Sequence, residues 1–321
     1  MSMFLLIVLF LVGLALVVFG ADWLVDGASG VARRVGLSEF VIGLTIVGMG
    51  TSAPEMVVSL VGALEGKGDI AVGNVVGSNI YNTLLILGLT SLILPMAITR
   101  TNRKRDIPMN IGVTLLFILL GLEYTLFGFG TDGLNRIDGI ILLVLFAVYM
   151  WYCFKTGKTE ETEEEGEEKK HKLWLDILLI LAGITALVVG GRMFVNNAVA
   201  IAGRLGISDK FIAITILAGG TSMPELATCV AAAVKKKGQL ALGNIIGSNL
   251  FNILLILGGS AIIAPISFSS INIVDMAALM ASALALVTCL YIGKRNVLDR
   301  LDGSLFLLVW GAYMAYLIIT L

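Results

Sequence analysis

Two pairs of motifs decide the fold of this chain: GTSAPE at 50–55 with GNVVGSNIYN at 73–82, and GTSMPE at 220–225 with GNIIGSNLFN at 243–252. A constant offset of 170 residues separates the two copies. Over the longer comparison of 70–95 with 240–265, 14 of 26 positions are identical, too many for two unrelated apolar helices. The sequence therefore contains an internal repeat.

The composition around the motifs is that of a membrane protein. Of 321 residues, 58% are hydrophobic and only 14% are charged, whereas a soluble chain carries about a quarter charged residues. The net charge of −1 gives no basic excess for nucleic-acid binding. Three cysteines within apolar stretches have no ligand spacing, so we predict buried thiols at Cys153, Cys229 and Cys289.

A membrane-spanning helix needs about 20 mostly apolar residues, and ten segments meet this requirement. We predict an all-α membrane protein with ten transmembrane helices near 3–20, 40–63, 70–96, 107–128, 135–154, 173–191, 210–234, 240–264, 272–292 and 302–320. Because five spans per half is an odd number, the two halves must cross the membrane in opposite senses, as inverted-topology repeats do.

The predicted division is a first five-helix repeat at 1–155, a charged cytoplasmic linker at 156–172 and a second five-helix repeat at 173–321. The linker contains the single histidine, His171, and is interpreted as a solvated connection, with a weakly calcium-attracting or regulatory loop as the alternative. With the N-terminus outside, 17 of the 22 basic residues fall in cytoplasmic connections. This distribution predicts a plasma-membrane protein with both termini extracellular. No Lys or Arg precedes the first span, so it lacks the positive region of a signal peptide.

Glu55 and Glu225 are the acidic residues expected near the middle of spans, where ionisable groups usually mark an ion pathway. On a helix, the hydroxyl residues three and four positions earlier share the face of each glutamate: Thr51, Ser52, Thr221 and Ser222. Pro54 and Pro224 lack an N–H, which frees backbone carbonyls one turn earlier. The following span adds hydroxyl and amide oxygens four residues apart: Ser78, Asn82, Ser248 and Asn252.

The residues of this predicted cluster offer only oxygen as a donor atom. Oxygen ligands select calcium, sodium, magnesium or protons over zinc, iron or copper, and magnesium is less favoured because it dehydrates reluctantly. Interhelical hydrogen bonding remains the alternative for Ser78, Ser248, Asn82 and Asn252. A structural role is favoured for Asn79 and Asn249, and a polar role for Asn74 and Asn244 stays open.

With both motifs present in both halves, the whole chain resembles the cation/calcium exchanger superfamily, in particular its prokaryotic sodium/calcium exchangers. The resemblance implies that Glu55 and Glu225 are central ligands shared by calcium and sodium, and that the first and sixth spans slide across the other eight. It implies further ligand oxygens from Thr51, Ser52, Thr221, Ser222, Ser78, Ser248, Asn82 and Asn252, and sodium positions lined by the carbonyls of Gly48 and Ala218.

One departure from the family pattern concerns the two asparagines. Several sodium-driven members carry aspartate at the position of Asn82 or Asn252, whereas this chain has asparagine at both. The sequence therefore leaves the choice between sodium and protons, and any potassium requirement, open.

The predicted function is an antiporter that exchanges Ca²⁺ for Na⁺ by alternating access, without a cofactor or an obligate protein partner. A Ca²⁺/H⁺ exchanger or a potassium-dependent Na⁺/Ca²⁺ exchanger is the alternative. A passive cation channel is less favoured because channels usually assemble from symmetric subunits around a pore. An enzyme is disfavoured because the chain has no Ser–His or Cys–His pair.

Overall fold

The computed structural model describes residues 2–128, 130–157, 172–205, 219–268, 273–287, 290–291 and 294–320. The first half contains α1 Met3–Val35, α2 Glu39–Ile42, α3 Gly48–Thr51, α4 Ala53–Leu64, α5 Gly68–Ile80, α6 Leu87–Ile93, α7 Ile107–Gly121, α8 Glu123–Phe127 and α9 Arg136–Thr156. The second half contains α10 Leu173–Arg204, α11 Met223–Val234, α12 Gly238–Phe251, α13 Gly258–Ile263, α14 Ile273–Ala285 and α15 Arg300–Thr320.

Six helical segments within the described ranges are long and apolar enough to cross a bilayer: Met3–Val35, Gly68–Ile93, Arg136–Thr156, Leu173–Arg204, Gly238–Ile263 and Arg300–Thr320. A further pair, Glu39–Thr51 and Ala53–Leu64, passes the same test together but is bent by 50°. The predicted spans at 210–234 and 272–292 include residues outside the described ranges. A helical membrane protein is thus confirmed, whereas the number of ten spans stays a prediction.

Helices α1 and α10 pack against each other in opposite directions, through glycines. A Cβ at Gly13 would lie 2.9 Å from the carbonyl oxygen of Gly190, and one at Gly20 would lie 2.9 Å from that of Gly183. Residues later in α1 contact residues earlier in α10, so the two helices are antiparallel. The absence of side chains at these positions lets the two backbones approach closely. The offset of 170 pairs Gly13 with Gly183 and Gly20 with Gly190, so the contact is symmetric between the halves.

Four short strands also join the two halves, because each strand of one half pairs with a strand of the other half. Strand β1 Met96–Ala97 pairs antiparallel with β4 Val297–Leu298, and β2 Gly133–Leu134 pairs antiparallel with β3 Ile266–Ser267. In each pair, the strand after the repeated motifs of one half meets the strand before the last helix of the other half. The backbone groups of these connections are thereby satisfied.

The helices that carry the second motifs lie at the centre of the protein. An apolar 18-residue window within Gly238–Ile263 is 94% buried and one within the equivalent Gly68–Ile93 is 67% buried, whereas the window within Arg300–Thr320 is only 11% buried. The exposed residues of the outer helices are mostly large and apolar, as expected for contact with lipid. Cys153 and Cys229 are buried free thiols as predicted, and Cys289 lies outside the described residues.

Candidate cation site

The first GTSxPE motif forms a break between two helical turns, and the second forms a turn directly before a helix; in both motifs the glutamate follows directly. Ser52, with φ −78° and ψ 8°, separates α3 from α4, and Pro54 lies in the first turn of α4, where its missing N–H costs nothing. Ser222, with φ −85° and ψ 9°, and Pro224 repeat this arrangement before α11. The break brings Glu55 and Glu225 to the start of their helices, where both side chains are fully buried.

The serines connect the two glutamates crosswise between the halves. Ser52 Oγ donates to Oε1 of Glu225 at 2.9 Å, and Ser222 Oγ donates to Oε1 of Glu55 at 3.0 Å. Each glutamate also accepts from a serine of its own half, Ser78 at 3.3 Å for Glu55 and Ser248 at 3.4 Å for Glu225. The two carboxylates are therefore held in one cluster by four hydroxyl groups.

Four buried oxygens of this region have no hydrogen-bond partner among the described residues. They are Oε2 of both glutamates and Oδ1 of two asparagines, in full Glu55, Glu225, Asn82 and Asn252. All four side chains are completely buried. Buried polar atoms without a partner are rare in folded proteins, because leaving them unpaired is costly. These oxygens therefore have lone pairs available for coordinating a cation.

The threonines of the motifs contact the asparagines that begin the second motif of the other half. Thr51 Oγ1 donates to Oδ1 of Asn244 at 3.1 Å, and Thr221 Oγ1 donates to Oδ1 of Asn74 at 3.4 Å. Asn74 Nδ2 in turn donates to the main-chain oxygen of Glu55 at 3.2 Å. Asn74 and Asn244 thus support the GTSxPE breaks, a role that sequence spacing leaves open.

The hydroxyl oxygens of Thr51 and Ser248 each lie 3.4 Å from the carbonyl oxygen of Gly48, which shares their single protons with Asn244 and Glu225. Gly48 is buried one turn before the break. Its equivalent Ala218 lies outside the described residues. The other eleven sequence-predicted site residues are described, and all of them except Asn82 and Asn252 take part in the contacts given so far.

Helix geometry near the cluster contains a feature that sequence reasoning missed. Three of the four π-helical segments in the described ranges lie near the cluster: Gly43–Val47, Tyr81–Ile86 and Asn252–Leu257. Asn82 and Asn252 lie in two of these segments, and the third ends directly before Gly48. Single π-helical turns are frequent at functional sites because they redirect side chains and backbone groups. No simple residue pattern marks such a turn in advance.

A cavity of about 160 Å³ adjoins the cluster between α4 and α10. Its lining includes Pro54, Arg192, Asn196, Thr221 and Pro224. Within the described ranges, no group of three or more His, Cys, Asp or Glu side chains could hold a metal ion. A cation in the cluster would thus bind two carboxylates and neutral oxygens, which suits hard cations such as Ca²⁺ or Na⁺.

The fold is that of a membrane transporter for cations. The profile of the family described as "Sodium/calcium exchanger protein" matches residues 5–155 and 175–319. The sodium/calcium exchanger MaX1 of Methanosarcina acetivorans is 32% identical over 348 residues, covering 96% of this chain and 97% of that protein. The inner membrane protein YrbG of Escherichia coli is 38% identical over 272 residues, covering 80% of this chain and 79% of that protein.

The fold is also similar to a solved structure of the sodium-calcium exchanger NCX_Mj, with a TM-score of 0.84 and 33% identity over 98% of this chain and 99% of that one. This chain belongs to the sodium/calcium exchanger family. The family consists of transporters that move Na⁺ and Ca²⁺ without a cofactor, so the predictions of an antiporter rather than an enzyme, and of no cofactor, are confirmed. Family membership supports exchange of calcium against another cation as the activity.

Proposed function

We propose that this protein exports Ca²⁺ across the plasma membrane in exchange for Na⁺, and that both ions use the cluster around Glu55 and Glu225 in turn. The observation that carries the proposal is the set of four buried oxygens without hydrogen-bond partners in the described part of the chain, contributed by both halves. Two carboxylates neutralise one Ca²⁺, and the amide and hydroxyl oxygens complete a coordination sphere of the kind that calcium prefers.

Sodium competes for the same oxygens in this mechanism. The hydroxyl groups of Ser52 and Ser222 hold one oxygen of each carboxylate and leave the other for an ion. A cluster emptied of ions would keep two carboxylates buried without compensation, which is costly. The cluster therefore favours exchange of one cation load for another over release of an ion without replacement.

The proposed membrane arrangement is ten spans in two inverted repeats, with both termini extracellular. The antiparallel contact of α1 with α10 and the crossed strand pairs support this arrangement. Arg34 of α1 also forms an ion pair with Asp176 of α10 at 3.0 Å. These contacts make α1 and α10 a unit that can slide across the remaining helices and expose the site to each side alternately.

An asymmetry between the halves supports alternating access. Beside α10, the cavity containing Arg192 and Asn196 adjoins the cluster. At the equivalent positions of α1, the offset of 170 places Asp22 and Asp26, and both carboxylates bind Lys235, at 2.6 and 2.5 Å. With the proposed orientation, we assign this conformation to a state closed toward the cytoplasm and open toward the outside.

The state open toward the cytoplasm is expected when each half adopts the arrangement that the other half has in this structure. The residue equivalent to Lys235 is Glu65, and the residue equivalent to Asp22 is Arg192. Their charges are reversed but still complementary. In this structure Glu65 pairs instead with the exposed Lys67 at 2.7 Å. In the inward-open state, Arg192 of α10 is expected to close the outer side by pairing with Glu65.

Uptake of ⁴⁵Ca²⁺ into proteoliposomes tests the proposed function, with an imposed Na⁺ gradient and the pH held equal on both sides. Ca²⁺ uptake that follows the Na⁺ gradient supports the proposal, and its acceleration by Ca²⁺ on the opposite side supports exchange over a passive channel. Uptake that is indifferent to the ions on the opposite side would exclude an exchanger. A parallel series with and without K⁺ tests potassium dependence.

Exchange of Ca²⁺ for protons is the second candidate, and the asparagines at 82 and 252 favour it. Without an aspartate at either position, the cluster has two carboxylates in total and no third charge for additional Na⁺ ions. Glu55 and Glu225 could then carry protons in the return step. Uptake driven by a pH gradient and unaffected by Na⁺ would establish this alternative.

A further inference from the structure

Two asparagines outside the proposed ligand set hydrogen-bond the two asparagines within it. Asn252 Nδ2 donates to Oδ1 of Asn79 at 2.9 Å, and Asn82 Nδ2 donates to Oδ1 of Asn249 at 3.2 Å. Each contact joins one half of the chain to the other. All four side chains are buried, so these contacts decide how each amide is turned.

The main chain fixes the orientation of Asn79. Its Nδ2 donates to the carbonyl oxygen of Asn249 at 3.1 Å, and because a carbonyl oxygen can only accept, the amide nitrogen must lie on that side. Oδ1 of Asn79 is then left for Asn252, which must present its N–H. In the other half, Asn249 Nδ2 donates to Oγ1 of Thr83 at 2.8 Å, and Oδ1 of Asn249 accepts from Asn82.

These contacts determine which amide atoms of Asn82 and Asn252 face the ion site. An amide has one nitrogen and one oxygen at its end, and the nitrogens of Asn82 and Asn252 are both engaged. Their Oδ1 atoms are therefore turned away from this network, and both are buried without a partner among the described residues. Asn82 and Asn252 follow Ser78 and Ser248 by four residues, and those serines donate to the glutamates. A flipped amide would present N–H groups, which repel a cation, in place of an oxygen.

We infer that Asn79 and Asn249 are positioning residues that keep the amide oxygens of Asn252 and Asn82 turned toward the transported cation. The inference rests on the proposed function, because it takes those two oxygens as ion ligands. The same contacts disfavour an ionised carboxylate at position 82 or 252, since its oxygen would replace the N–H that Asn249 or Asn79 accepts. The network thereby keeps the formal charge of the site at that of the two glutamates alone.

Double-mutant cycles test the inference through the KM for Ca²⁺ in sodium-driven uptake. Asn79→Ala and Asn252→Ala are each expected to raise KM roughly tenfold, the effect of one buried hydrogen bond or ligand, with a smaller change in turnover. The double variant is expected to show no more than the Asn252→Ala effect, because no ligand amide remains to be positioned. The pair Asn249→Ala and Asn82→Ala is expected to behave in the same way.

The hydrogen bonds run between the halves, from Asn252 to Asn79 and from Asn82 to Asn249. This pairing makes it possible to distinguish a positioning role from a general packing role. Asn79→Ala combined with Asn82→Ala is expected to give multiplied effects, because Asn79 contacts Asn252 and not its neighbour on the same helix segment. Asn110→Ala, at a buried asparagine of α7 outside this network, is the matched control and is expected to leave KM unchanged. If an alanine variant fails to fold, Thr83→Val removes the partner of Asn249 with little change in shape, and the cycle with Asn82→Ala is repeated.

The possible failures can be told apart. Multiplied effects of Asn79→Ala and Asn252→Ala would overturn the positioning role while exchange itself stands. An unchanged KM in Asn252→Ala would overturn its role as a ligand, and the inference with it. Absence of Na⁺-dependent uptake by the unmodified protein would overturn the proposed function and therefore this inference as well.

Discussion

The hydroxyl of Ser52 donates a 2.9 Å hydrogen bond to Glu225, although 173 residues separate them in the chain. Ser222 returns the same contact to Glu55 at 3.0 Å. Each half of the protein thus orients the carboxylate of the other. Because both hydroxyls bind Oε1, the Oε2 atoms stay without partners among the described residues of the buried cluster. In the proposed mechanism, this arrangement couples ion binding to the relative position of the two halves.

Removing either negative charge is expected to abolish calcium transport. Glu55→Gln or Glu225→Gln keeps the shape of the side chain but leaves one carboxylate for a divalent ion, and we expect a loss of at least about 100-fold in ⁴⁵Ca²⁺ uptake, the scale of two or more lost charge-assisted contacts. Size-exclusion chromatography in detergent checks that the variants are folded. Uptake at the unmodified rate would refute the assigned site.

The hydroxyl groups of Ser52 and Ser222 are expected to contribute equally to Ca²⁺ binding. Ser52→Ala and Ser222→Ala each remove one hydrogen bond to a carboxylate of the opposite half, and we expect KM for Ca²⁺ to rise about threefold to thirtyfold in both. Ser29→Ala is the matched control, since this buried hydroxyl on α1 has no hydrogen-bond partner in the described ranges. A change in one variant alone would contradict the symmetric arrangement.

The ion pairs of Lys235 are expected to hold the state that is closed toward the cytoplasm. Burial alone would lower the pKa of Lys235, but hydrogen bonds and charges from Asp22 and Asp26 outweigh it and raise the pKa above 10.5. A raised lysine pKa means that the pair is fully present at lower pH and is lost only as the pH rises through that higher value. Lys235→Gln is therefore expected to make the residues around the cluster more accessible to a labelling reagent added on the cytoplasmic side. The increase is expected to be the same at all pH values near neutrality.

The predicted pairing of Arg192 with Glu65 is testable by cross-linking. In a chain whose own cysteines are replaced by alanine, Glu65→Cys with Arg192→Cys is expected to form a disulfide under conditions that favour the inward-open state. Asp22→Cys with Lys235→Cys is the counterpart and is expected to cross-link in the outward-open state. Either disulfide is expected to stop uptake until it is reduced. Cross-linking of both pairs in the same state would contradict alternating access.

The glycine contact between α1 and α10 is expected to tolerate no larger side chain. A Cβ at Gly20 would lie 2.9 Å from the carbonyl oxygen of Gly183, and one at Gly183 would lie 2.8 Å from that of Gly20. Gly20→Val or Gly183→Val is expected to destabilise the protein by about 1–3 kcal/mol and to lower the thermal unfolding temperature in detergent. Gly112→Val is the control, because no described atom beyond its chain neighbours and the nearby backbone of its own helix lies within 4 Å of a Cβ there.

Several of these features can be predicted because they depend on local sequence. The lengths of the apolar segments predict membrane helices, and the repeated motifs predict two glutamates with oxygen-only surroundings. The spacing of Ser52 and Glu55 predicts that they share a helix face. In the structure the chain breaks at Ser52, so its hydroxyl reaches Glu225 instead. A helical spacing rule does not apply across such a break.

The sequence by itself determined that the chain is a helical membrane protein with an internal repeat and two buried carboxylates, because hydrophobic length and motif identity are properties of contiguous residues. Only the tertiary structure decided which serine binds which glutamate, how the amides of Asn82 and Asn252 are turned, and that Lys235 binds Asp22 and Asp26. Those choices are made between side chains of opposite halves. They depend on how the two halves pack, which residue spacing within one half does not contain.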